Sequence, residues 1–142
     1  MALKTEQIKR ILTGHEQPSP QEQILMLERL DAERRLRGYI KHYGLCKEAQ
    51  MKMLEMPNAF NLLDIYSQKY WLFPDVEIKM IQHPKSKDML MLYSKRRRLS
   101  HQAQVEILER PNASELREIY AARHNFCEEF YIAQYEKLHK DD

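Results

Sequence analysis

The groups in this chain that could bind a metal or move a proton are six histidines, two cysteines and 21 carboxylates. A metal site on one helix needs ligands that share a face, as in a His-Glu-x-x-His pair. His15, His42, His83, His101, His124 and His139 show no such pairing. His124 and Cys127 stand three apart, but the residues between them read as a loop. Phosphate-cradling loops need clustered glycine, and the three glycines are the scattered Gly14, Gly38 and Gly44. There is no Gly-x-Ser-x-Gly nucleophile turn and no convincing carboxylate pair. No catalytic residue, no metal and no cofactor is expected, and the chain reads as non-enzymatic.

Recognition chemistry is better represented. Lys95, Arg96, Arg97 and Arg98 form a cationic run, with Lys85 and Lys87 ahead of it. Clustered cations can meet phosphates. The plainer account is that four consecutive residues fan around a helix end, where cations complement the helix dipole by ~0.3–1 kcal/mol each. Tyr39, Tyr66, Tyr93 and Tyr120 stand 27 residues apart. One aromatic per repeat can stack on bases or grip a peptide, but repetition also marks a core slot that every copy must fill. Four residues further on, Tyr43, Tyr70, Arg97 and His124 form a second column. Its variety suits either a ligand-reading face or an unconstrained surface. Trp71 falls between repeats, so it is expected to be partly exposed and is the favoured single anchor for a partner.

The tyrosines belong to a period that covers most of the chain. Residues 45–71, LCKEAQMKMLEMPNAFNLLDIYSQKYW, recur without a gap at 72–98 and 99–125, and more weakly at 18–44. A half unit follows at 126–142. Pro57, Pro84 and Pro111 coincide, with Leu30 in the first block. A fixed period of 20–50 residues is the mark of a stacked array. Cys46 takes the place of Ser100, which points to a small capping residue, and Glu28, Glu55, Glu109 and Glu136 align as a solvated stripe.

Each block reads as two helices. Ser19-Pro20-Gln21-Glu22 is a capping box with proline at the first helical position. Apolar residues then run through Ile24, Met26 and Leu27, and through Met51, Met53 and Leu54. Ile78, Met80 and Ile81 repeat them, as do Val105, Ile107 and Leu108. This arc is wide, so the first helix is expected to be buried on two sides. Proline disfavours the helical conformation in the residue before it, here Met56, His83 and Arg110. Asp31, Asn58 and Asn112 should then cap the second helix, with Ser86 doing so one residue late in the third block. Ala59, Leu62, Leu63, Ile65 and Tyr66 show the spacing of a core-facing helix. Residues 3–13 read as a partial N-terminal cap closed by Gly14, with His15 to Gln17 as linker. Phe126 to Leu138 reads as one further first-type helix, with Phe130, Ile132, Tyr135 and Leu138 making its apolar contacts.

Composition agrees. Leu, Met, Glu, Gln, Lys and Arg abound, and these are strong helix formers. No stretch approaches the ~20 apolar residues of a membrane span, and the start lacks a signal-peptide pattern. The two cysteines lie three periods apart, too far for a disulfide in such an array, so a reduced cytoplasmic protein is expected. The net charge of +2 is uneven. Residues 72–98 carry seven basic against three acidic side chains, and residues 126–142 carry two against five.

The proline-broken helix pair resembles the HEAT, tetratricopeptide and pumilio class of α-solenoids in architecture. It carries none of their family patterns, and 27 residues is short beside the ~34 of tetratricopeptide and ~40–47 of HEAT repeats. The expected fold is thus all-α, an α-α superhelix of about four helix pairs in one domain. Its cap spans 1–17, its repeats 18–44, 45–71, 72–98 and 99–125, and its half repeat 126–142. The expected function is a scaffold that binds a protein or peptide along one face, with no membrane partner. The binding residues would be Tyr43, Tyr70, Trp71, Lys95, Arg96, Arg97, Arg98 and His124. The alternative is a nucleic-acid-binding module that uses the basic patch of the third repeat.

Overall fold

A computed structural model describes residues 18–139. The expected N-terminal cap and its linker, and the last three residues, lie outside the described residues. Those described hold nine helices and no strand. They are α1 (Pro20–Leu27), α2 (Ala32–Tyr39), α3 (Lys47–Glu55), α4 (Ala59–Ser67) and α5 (Pro74–Gln82). Then follow α6 (Ser86–Ser94), α7 (His101–Ile107), α8 (Ala113–Ala121) and α9 (Glu128–Leu138).

The chain divides into two compact units, one ending at Leu72 and the other beginning at Phe73. In the first, α1 packs on α3 and α2 on α4, while α1 also meets α2 and α3 meets α4. In the second, α5 packs on α7 and α7 on α9, α6 packs on α8, and α5–α6 and α7–α8 are the hairpin pairs. Within each unit, therefore, first-type helices lie against first-type helices and second-type against second-type.

Local chemistry sets the helix ends. Ser19 accepts from the Glu22 N–H at 3.2 Å while the Glu22 carboxylate accepts from the Ser19 N–H at 3.1 Å, closing the capping box. Ser100 accepts from the Ala103 N–H at 3.2 Å. Met56 and His83, each ahead of a proline, are extended, with ψ of 150° and 145°.

The start of the second helix departs from expectation. Asp31, Asn58, Lys85 and Asn112 hold the boundary, and none of their side chains caps a backbone N–H. Their φ values of −99° to −104° and ψ values of 28° to 34° are those of the third residue of a type I turn. The closing bonds run from Ala59 N–H to Met56 O at 3.0 Å, from Ser86 to His83 at 2.9 Å and from Ala113 to Arg110 at 3.1 Å. Proline supplies the second turn residue, where its fixed φ fits. The backbone makes this turn without a side-chain cap, which explains why Lys85 is tolerated. Ser86 is not the cap; it is the first residue of α6 and is buried. In the first block Leu30 occupies the proline position with its side chain in solvent. Asp31 instead binds Arg35 and Arg29, at 3.0 and 3.3 Å.

The core is formed by Met26, Leu27, Leu36, Met53, Leu54, Leu62 and Leu63 in the first unit. In the second it is formed by Val76, Met80, Ile81, Leu90, Ile107 and Leu116. Tyr39, Tyr66, Tyr93 and Tyr120 are each at most 1% exposed. Of the apolar contacts expected in α9, Phe130 alone is buried; Ile132, Tyr135 and Leu138 are exposed. Phe130 stacks on Phe126 at 3.8 Å between ring centroids.

Leu54 has no exposed surface, so Leu54→Ala should lower unfolding stability by ~2–5 kcal/mol. Chemical denaturation followed by circular dichroism measures this, and an unchanged midpoint would place the core elsewhere.

Candidate functional site

The tyrosine rings fill core slots, and their hydroxyls are spent inside the protein. The Leu45 N–H donates to the Tyr66 hydroxyl at 2.9 Å, and the Leu99 N–H to that of Tyr120 at 3.1 Å. Both bonds serve the residue two before a first-type helix, a buried loop N–H outside the helical ladder. Burial pushes the hydroxyl pKa values of Tyr39, Tyr66 and Tyr120 up. The tyrosine ladder is therefore packing, with its hydroxyls bonded internally.

A second buried column completes this arrangement. Gln23, Gln50, Glu77 and Gln104 stand at the same 27-residue spacing, and each is at most 3% exposed. Gln50 donates through Nε2 to Leu45 O at 3.2 Å and to the Tyr66 hydroxyl at 2.9 Å. Gln104 does the same to Leu99 O and the Tyr120 hydroxyl, at 3.0 and 3.3 Å. The other end of the amide reaches the next block. Gln23 Oε1 accepts from the Cys46 N–H at 2.7 Å, and Gln104 Oε1 from the Cys127 N–H at 2.8 Å. One side chain thus joins its own loop, its own tyrosine and the next helix start. The signal was present in the sequence as Gln23, Gln50, Glu77 and Gln104 at a 27-residue interval, but long polar residues on a helix are normally read as solvent-facing.

Glu77 is the exception. Its carboxyl accepts from the Ser100 N–H at 2.8 Å and from the Tyr93 hydroxyl at 2.7 Å. Burial raises its pKa, only partly opposed by the bonds from Ser100 and Tyr93.

Of the residues expected to bind a partner, Tyr43, Tyr70 and Trp71 belong to the first unit, and Lys95 to Arg98 and His124 to the second. Tyr70 and His124 are half-buried and cap carbonyls of the preceding second-type helix. The Tyr70 hydroxyl donates to Ile40 O at 3.3 Å, and His124 Nε2 lies 2.7 Å from Ser94 O. A carbonyl can only accept, so Nε2 carries the proton. Tyr43, also half-buried, packs on Tyr39, and Tyr70 stacks on Tyr66 at 5.3 Å. A Cβ at Gly44 would approach the Tyr70 ring at 3.1 Å, so glycine makes room for that stack. Trp71 is 59% exposed. Lys95, Arg96 and Arg98 are exposed and Arg97 is half-buried at the end of α6, while Lys85 and Lys87 sit at its start. The nine residues of α6 separate these two groups by about 13 Å. Lys87 pairs with Glu115 at 3.6 Å.

The largest exposed apolar face among the described residues of the second unit lies on α9. Tyr131, Ile132, Tyr135 and Leu138 are all exposed, Tyr135 by 64%. A cleft of about 380 Å³ lies between α8 and α9, lined by Ser114, Arg117, Glu118, Ala121, Phe126, Phe130 and Tyr131. A shallower depression lies along the outside of α9, and Tyr131 borders both. The sequence made Ile132, Tyr135 and Leu138 apolar contacts of this helix, because helical spacing alone does not tell which face of α9 is covered. Three ligand-type side chains also meet where α7 and α9 begin: His101, Cys127 and Glu129.

No family model, curated protein or solved structure matches this chain.

Replacing Glu77 by glutamine restores the column's usual residue, and Glu77→Gln should stabilise the protein at pH 7 by on the order of 1 kcal/mol. A carboxyl whose folded pKa is raised stabilises most below its unfolded value, and that contribution disappears as pH rises through the folded value. Denaturation midpoints of wild type and Glu77→Gln should therefore converge in acid and separate towards neutral pH. A pH-independent difference would refute the assignment.

Proposed function

We propose that this chain is an α-solenoid of 27-residue helix pairs that acts as a non-enzymatic, cytoplasmic binding scaffold. Its docking surface is the outer face of α9, and its partner is an amphipathic helix of another protein. The period runs through 72/73 without a gap, which supports one continuous array. No helix among the described residues is long and apolar enough to cross a membrane, and both cysteines are free thiols.

The observation that carries the reading is a pair of corresponding positions. Gln104 on α7 and Leu108 at its C-terminal cap are buried, and α7 packs on α9. Tyr131 and Tyr135 hold the same positions one period later on α9, where they are exposed. The face with which α7 receives α9 is thus presented again by α9, with two tyrosines, an isoleucine and a leucine on it. An apolar face of helix-receiving shape suits recognition of an amphipathic helix in a groove, and tyrosine is the residue type that anchors such contacts. Glu128 and Glu136 border it, which favours a helix flanked by lysine or arginine.

The nucleic-acid reading rests on Lys85 and Lys87 at the start of α6 and Lys95, Arg96, Arg97 and Arg98 at its end. It calls for salt-dependent binding of RNA or DNA.

Ile132→Glu combined with Tyr135→Glu should abolish capture of the partner from a lysate of the source cell while leaving the far-ultraviolet circular dichroism unchanged, since both side chains are exposed on the outer face of α9. The captured partner's helix, made as a peptide, should then bind wild type and fail to bind the double variant in calorimetry. Equal binding to both would eliminate the α9 face. Strong anisotropy changes with labelled RNA at low salt, lost in Arg96→Glu, would favour the alternative.

A further inference from the structure

We propose that His101, Cys127 and Glu129 form a binding site for a zinc-class divalent cation, with water as the fourth ligand. The inference is independent of the docking face on α9.

The three residues come from two helix starts that the fold brings together. His101 opens α7, Cys127 is the residue immediately before α9, and Glu129 is in the first turn of α9. The Gln104 amide, which accepts from the Cys127 N–H, fixes the second start relative to the first. His101 Nδ1, Cys127 Sγ and a Glu129 carboxylate oxygen all lie within 4.8 Å of one another. Nδ1 and the carboxylate are 3.4 Å apart. Tetrahedral zinc with bonds of about 2.0–2.3 Å separates its ligands by about 3.3–3.7 Å, so the nitrogen–oxygen edge already has the required length.

Ligand chemistry narrows the ion. One imidazole nitrogen, one thiolate and one carboxylate oxygen are a borderline-soft set, which suits zinc and disfavours magnesium or calcium. The His101 and Glu129 side chains are more than half exposed, leaving the fourth position open to solvent. Metal binding would displace the thiol proton to solvent and leave the imidazole proton on Nε2.

A nucleophilic role fits less well. In a hydrolase triad the imidazole stands between the nucleophile and the acid. Here the carboxylate is bonded to the thiol on one side and faces the imidazole on the other.

The first unit supplies an internal control. Cys46 precedes α3 as Cys127 precedes α9, and Glu48 corresponds to Glu129, but Pro20 stands where His101 would be. Cys46 therefore lacks the nitrogen ligand.

Chelator-treated full-length protein should be titrated with Co(II), then with Zn(II) in competition. Wild type and Cys46→Ser should show the visible bands of tetrahedral cobalt with a near-ultraviolet thiolate band, and Zn(II) should raise their melting temperature. Cys127→Ser retains a residue type found at helix starts elsewhere in this chain, so its circular dichroism should be unchanged. It should lose the thiolate band and bind Zn(II) at least about tenfold more weakly, since even losses outside the coordination sphere cost 10–100-fold. His101→Ala should bind at least about tenfold more weakly as well. A featureless cobalt titration of wild type would overturn the proposal. So would a thiolate band that survives Cys127→Ser and disappears in Cys46→Ser.

Discussion

Each first-type helix begins with backbone N–H groups that no helical carbonyl can reach, and in this protein those starts lie against neighbouring helices. An unsatisfied buried donor costs about 1–3 kcal/mol, so the fold depends on how they are met. The solution is a side chain long enough to serve several groups at once. Gln104 spans Leu99 O, the Tyr120 hydroxyl and the Cys127 N–H. The Tyr120 hydroxyl in turn accepts from the Leu99 N–H. Amide and phenol together connect one helix pair internally and fix the point at which the next begins. Hydrophobic contact alone would bring the helices together without specifying that register.

The same network limits what can vary. Residues just before the first-type helices are Ser19, Cys46, Phe73, Ser100 and Cys127, a varied set. Cys46, Ser100 and Cys127 nonetheless each offer a backbone N–H to the buried column. Because the main chain supplies the bond, the side chain there is released for other purposes. That freedom allows Cys127 to stand beside His101 and Glu129. By contrast, Glu77 alters the column itself. A carboxylate has no N–H to donate, and its burial is unfavourable in the charged form.

Helices, their order and most of their limits were legible in the sequence because they follow from local chemistry. The capping box at Ser19 and the extended residue before each of Pro57 and Pro84 needed nothing beyond adjacent residues. The apolar positions at Met53, Leu54, Leu62 and Leu63 followed from helical spacing. What was illegible depends on contacts across about 20–30 residues. Nothing local distinguishes Gln50 in the core from Gln68 in solvent; the 27-residue recurrence does, and it was read for tyrosine and proline but not for glutamine. Asn58 and Asn112 suggested side-chain caps, whereas the turn was made by backbone and proline. The variable column at Tyr70 and His124 was harder still. Its members differ in chemistry yet both approach a carbonyl 30 residues earlier, and two unlike donors doing one task leave no common residue type to recognise.

Position 131 shows how the two buried columns and the exposed face are related. At the corresponding places in α1, α3 and α7, glutamine donates its amide to a carbonyl of its own loop, and Gln23 and Gln104 also accept from the next helix start. In α9 that place belongs to Tyr131, which is 55% exposed and packs edge-on against Phe126 and Phe130. Phenol and amide differ in what they ask of a neighbour. A buried glutamine needs both a donor and an acceptor close at hand, and a solvent-facing one is fully hydrated. A tyrosine on the same spot gives about 150–250 Å² of surface to bury and one hydroxyl that bonds equally well to water or to a partner. Exchanging amide for phenol at this one place replaces a buried hydrogen-bonding link with a half-exposed aromatic ring.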